Sequence, residues 1–166
     1  VASEDEQVTV PLSSVFDVRT DTVPKVFDPL PGTPVTIAVD RFDSKEVILV
    51  AGDESTIRKF TTILFKALLN GTSATLEHPA KLGGRVLDTP ARDSILGVEQ
   101  GGLNFETSDG PVQIALDTVI DFARQRRTVD GQQRPAVVVD HVRNGDTLTT
   151  IASTDSNRTL SVLGRY

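Results

Sequence analysis

The sequence of 166 residues contains no cysteine, so no disulfide framework or thiolate metal site can hold it together. Methionine is missing too, at position 1 as elsewhere, which predicts a fragment or processed product. There is no tryptophan, and aromatics make up only 5% of the chain, so its cores must be aliphatic and small. No apolar run approaches the roughly 20 residues that span a bilayer. The first residues also lack the basic-then-apolar pattern of a secretory signal. Positive charge is in short supply: the net charge is −6 and the pI is near 4.9. Such a chain is a poor general ligand for nucleic acid or anionic membranes, which need clustered Lys and Arg. Within each sign the choice is skewed, with 16 Asp to 7 Glu and 12 Arg to 5 Lys. Short hydrated carboxylates in place of long apolar stems fit a cytoplasm rich in salt.

What is present is globular. Apolar residues amount to 38%, with many Val, Ile and Leu, enough for one domain or two small ones. From Ser55 the residues Ile57, Phe60, Ile63, Leu64, Ala67 and Leu68 recur at helical spacing, and Asn70-Gly71 closes that helix. Asp53-Glu54 precedes it, placed to serve its positive end. Ala74-Thr75-Leu76 is a short apolar run, and Glu77 to Gly84 reads as a joint.

Elsewhere the pattern is β. Val8 to Val10, a bend at Pro11 to Ser14, and Val15 to Val18 open the chain as two strands. Residues 21–34, with four prolines, form a long irregular connection. Val35 to Arg41 and Glu46 to Ala51 pair as a hairpin. Past the joint come strands at 92–99, 103–107, 112–114, 119–127, 136–143 and 147–153. Turns such as Asp130-Gly131 and Asn144-Gly145 separate them. A last helix starts near Thr154 or Asp155, with Leu160 and Leu163 on one face.

The two halves repeat. Gln7 to Val18 matches Pro111 to Phe122 position by position, with Asp17 on Asp121. Pro34 and its β run match Pro135 and its own, Val47 to Ala51 match Leu148 to Ala152, and the first helix matches the last. The first copy has no room for the hairpin at 92–107, so its opening strands are expected upstream of Val1. Antiparallel strands closed by a C-terminal amphipathic helix predict a mainly β (α+β) fold. It consists of tandem pleckstrin-homology-like β-barrels, each lidded by its helix. The first module covers residues 1–71 and is truncated at its N-terminus, a linker covers 72–91, and the second module covers 92–166.

Catalytic and metal chemistry finds little footing. His78 in the joint and His141 in a strand have no ligand spacing, and His78 is expected to hydrogen-bond the joint. Gly83-Gly84 and Gly101-Gly102 lack the Gly-Lys-Ser/Thr of a phosphate loop, and Ser13-Ser14 lacks an activating base. Neither a cofactor nor catalytic residues are expected. Arg124, Arg126, Arg127 and Arg134 form the one basic cluster. Alternation is read as placing Arg124 and Arg126 on one strand face, away from Phe122. They are either a solvated face or a docking patch for an acidic partner.

On Phe65 to Leu69, Glu77 to Val86, Arg127 to Pro135 and Val10 to Val18, the chain resembles the archaeal taxis protein family CheF. That resemblance implies a cytoplasmic, non-catalytic adaptor. Such an adaptor joins the response regulator CheY and other chemotaxis proteins to the archaellum motor. The alternative is a pleckstrin-like module that binds lipid headgroups or proteins outside taxis.

Overall fold

The computed structural model describes residues 9–20, 22–25, 27, 30–41 and 44–166. Two compact units divide the chain, residues 1–59 and residues 60–166. The division falls inside helix α1 (Glu54–Leu69).

The first unit is a three-stranded antiparallel sheet of β1 (Val15–Thr20), β2 (Thr33–Arg41) and β3 (Ser44–Gly52), with β2 central. Val15, Val18, Val35 and Val39 are buried in it. Ile57, in the first turns of α1, lies over Gly52. Of the expected opening strand 8–10, Val8 lies outside the described residues. Thr9 and Val10 are not in a strand.

In the second unit one large sheet collects β4 (Thr72–Leu82), β5 (Arg85–Val86), β6 (Arg92–Glu99) and β7 (Gly102–Thr107). It continues with β8 (Gly110–Ala115), β9 (Val119–Val129), β10 (Gln132–Arg143) and β11 (Asp146–Ser153). The order is β8-β7-β6-β4-β11-β10-β9, all antiparallel, with β5 paired to β4 alone. Helix α2 (Asn157–Leu163) follows. The mainly β expectation therefore holds, but the sheet does not close into a barrel. Among the described residues β8 and β9 remain its two unpaired ends.

Residues 72–91, expected as a linker, contain β4 and β5, and β4 pairs with both β6 and β11. Pro79 obscures this strand in the sequence because it cannot donate to a ladder. The chain accommodates it by bulging, so that His78, Pro79 and Ala80 lie between the pairs Thr149–Lys81 and Ile151–Glu77.

The repeat extends to the hydrogen bonds. Val15 pairs with Val39 and Asp17 with Ala38, leaving Phe16 as an extra residue. In the second unit Val119 pairs with His141 and Asp121 with Asp140, leaving Ile120 in the same place. Asp17 and Asp121 each accept from the next backbone N–H. A 3-10 turn precedes each strand, at Leu12–Ser14 and Leu116–Thr118. Each helix is capped alike: Asp53 accepts from Thr56 N–H and Ser156 from Thr159 N–H. Register corrects the sequence match by one residue on the later strands. Val35 corresponds to Val137, so Pro34 falls on Ala136, not Pro135.

Candidate docking face

The second unit ends in β9, an eleven-residue edge strand hydrogen-bonded to β10 alone. Its residues 120–126 are all exposed. The strand forms because Val119 to Val129 alternates and because Asp130-Gly131, both at positive φ (50° and 76°), folds it back onto β10. That two-residue turn matches the twist of the flanking strands.

The four arginines expected as one cluster separate into three settings. Arg124 and Arg126 share a face of β9 by alternation, as expected. That face also carries Phe122, a correction to the sequence reading. A side chain built on Gly164, just past α2, would meet both the Arg124 guanidinium at 2.7 Å and the Phe122 ring at 3.0 Å. Strand periodicity is two, so residues 122, 124 and 126 cannot diverge. Arg124 donates to the Ser161 carbonyl at 3.4 Å, placing a cation at the negative end of α2. Arg126 has no ion pair with a described residue. Arg127 turns to the opposite face and grips Glu77 with two nitrogens, at 2.6 and 3.3 Å. Arg134 reaches Asp155 at 3.2 Å.

Beside Phe122 an apolar cavity of about 420 Å³ opens between β9 and α2. Val119, Phe122, Leu163 and Gly164 line its rim, and Phe105, Ile114 and Val139 its floor. Tyr166 closes one side, packed edge-on against Phe65 of α1 at 5.2 Å and donating to the Glu99 carbonyl.

Under this face lies a polar group that the sequence did not suggest. The bulge of β4 brings His78 Nδ1 to 2.7 Å from Thr150 Oγ1, and His141 Nε2 meets the same oxygen at 3.0 Å. The rings stack with centroids 5.8 Å apart. His141 and Thr150 are almost fully buried, at 2% and 1% exposure. Burial, then the charges of His141, Arg143 and Arg92, lowers the His78 pKa to about 4. Burial and Arg143 also lower that of His141, against the pull of Asp140. Both rings are thus neutral near pH 7, one giving a proton to Thr150 and the other accepting one. The expectation that His78 hydrogen-bonds within the joint misses its true partner. The signal was available: His141 stands where the first unit has the core residue Val39.

Among the described residues no three His, Cys, Asp or Glu gather as a metal site. No helix among them is long and apolar enough to cross a membrane. Asp53 sits at the head of α1 as expected. Hydrogen bonds from Thr56 and Ser55 hold its carboxylate pKa at about 2.

The whole chain, residues 1–166, matches the family model described as archaeal chemotaxis signal transduction system protein F. Among curated proteins it is 36% identical to Taxis protein CheF2 of Halobacterium salinarum, over all of this chain and 58% of that protein. Taxis protein CheF1 of the same organism is 32% identical over 98% of this chain and 55% of its own length. The chain therefore spans a little over half the length of these curated relatives.

Proposed function

This chain belongs to the archaeal chemotaxis signal transduction system protein F family, and from that premise we propose that it is a non-catalytic docking module of archaeal taxis. It couples the response regulator CheY and associated chemotaxis proteins, in the cytoplasm, to the archaellum motor. The module binds an acidic partner surface through Arg124 and Arg126, with Arg127 and Arg134 bordering the face. One observation carries this reading. On a chain of net charge −6, two guanidinium groups stand on the same face of an exposed edge strand, and Arg126 is unpaired among the described residues. Guanidinium forks match carboxylate and phosphate oxygens, so such a face selects acidic partners.

The pleckstrin-homology-like reading of the architecture belongs with it. In the second unit, four strands in meander (β4, β6, β7, β8) and three more (β9, β10, β11) join edge to edge before a C-terminal helix. That arrangement supports the reading. The first unit repeats the last three strands and the helix.

Calorimetry tests the docking face. Arg124→Glu with Arg126→Glu in the full-length protein should weaken binding to the phosphorylated response regulator by at least about tenfold, as lost charge pairs at an interface do. The thermal midpoint should change little, since both side chains are exposed. Unchanged affinity would remove the arginines from the interface.

A further inference from the structure

We propose that the free edge of β9 binds an extended acidic segment of a partner protein as an added strand, with one apolar side chain of that segment entering the cavity beside Phe122. This rests on the reading of β9 as the docking face and adds the manner of docking.

Three features converge there. The outer edge of β9 makes no backbone hydrogen bond to any described residue, although the strand runs for eleven residues. An open edge is a row of unsatisfied donors and acceptors, and strand addition is the direct way to satisfy them. Next to that edge the cavity between β9 and α2 is apolar, and its rim residue Phe122 is 38% exposed. Finally, Phe122, Arg124 and Arg126 follow one another at alternate positions of one strand face.

The chemistry of the occupant follows from that spacing. Directly opposed side chains on paired strands lie within about 5.5 Å, so a pairing segment presents its residues at the same interval of two. An apolar residue falls opposite Phe122, and acidic residues fall opposite Arg124 and Arg126. A second copy of this chain fits poorly. Edge-to-edge pairing of two β9 strands brings the two arginine stripes together, and like charges across strands destabilise. The bulge at Ile120 further distorts the edge against a regular self-pairing. The first unit lacks this surface, because register places Thr20 of β1 where β9 has Arg124.

The probe is an acetylated, fluorescently labelled peptide of about eight residues, enough to span most of such an edge. It carries one leucine followed by aspartates at alternate positions. Anisotropy with the full-length protein should give saturable binding. The same peptide with N-methylated backbone amides should bind at least about tenfold more weakly, since it loses ladder bonds and keeps its charge. A lysine-for-aspartate peptide should not bind. Amide exchange at residues 120–127 should slow on adding the aspartate peptide. Equal binding of the N-methylated peptide would overturn strand addition while leaving charge docking in place. So would failure of every peptide with a protein that still binds the response regulator. Exchange at 120–127 that slows with protein concentration alone would assign the edge to a second copy and also overturn the proposal. Loss of response-regulator binding as well would instead mean that the docking reading itself had failed.

Discussion

Thr150 offers one hydroxyl to two imidazoles, and that single atom links a bulged strand to its neighbours inside the second unit. The consequence is a pH dependence with a definite sign. Both rings have folded pKa values below the ordinary one, for His78 from 6.5 to about 4. Below about pH 6.5 the unfolded chain therefore binds protons that the folded chain does not, and stability falls as pH drops towards about 4. His141→Val, which installs the residue that the first unit uses at the equivalent place, should flatten this slope. Urea denaturation from about pH 7 to about pH 4 measures it. A slope as steep as that of the parent protein would mean that His141 is not one of the groups responsible. The pair was hidden in the sequence because 63 residues separate the two histidines, and only a β-bulge around Pro79 brings them together. Asp53, by contrast, was legible, because a cap acts on residues two and three positions along the same chain.

At the scale of elements, helix α1 illustrates what periodicity leaves open. The predicted stripe of Ile57, Phe60, Ile63, Leu64, Ala67 and Leu68 gives way to one through Ile57, Thr61, Leu64, Phe65 and Leu69. Ile63 is 68% exposed and Ala67 is exposed, whereas Phe65 and Leu69 are buried. With apolar residues at eight of the thirteen positions from 57 to 69, more than one helical stripe fits the spacing. The C-terminal half of α1 is also tied to the second unit: the Asn70 side chain accepts from Val98 N–H and Gly71 N–H donates to the Leu96 carbonyl. It follows that Phe65→Ala should destabilise by about 3–5 kcal/mol. Ile63→Ala should stay within about 0.5 kcal/mol of the parent. Chemical denaturation of the two variants decides between the stripes, and the reverse ranking would restore the periodic reading. Strand β4 was missed for a related reason. Its pattern is broken by His78-Pro79 and its partners lie far away in sequence, so no local signal marked it. The strands from β6 to β11 were legible because each is bounded by turn residues and pairs with a neighbour in sequence.

For the whole molecule the duplication was the strongest message in the sequence, and it survives down to one bulged residue per copy, Phe16 and Ile120. What the pattern could not convey is closure. Alternation specifies strands and hairpins, but whether β8 meets β9 depends on how the sheet coils, and the two edges stay apart. That opening leaves β9 free along its length, with an apolar cavity and two arginines at its side. The first copy has no such edge chemistry, so the two copies are not interchangeable as docking surfaces. Residue-resolved hydrogen exchange of the full-length protein, with and without the phosphorylated response regulator, tests that claim most directly. Slower exchange at residues 120–127, with residues 15–20 unchanged, is the predicted result. Protection of any other region while β9 exchanges as before would contradict it.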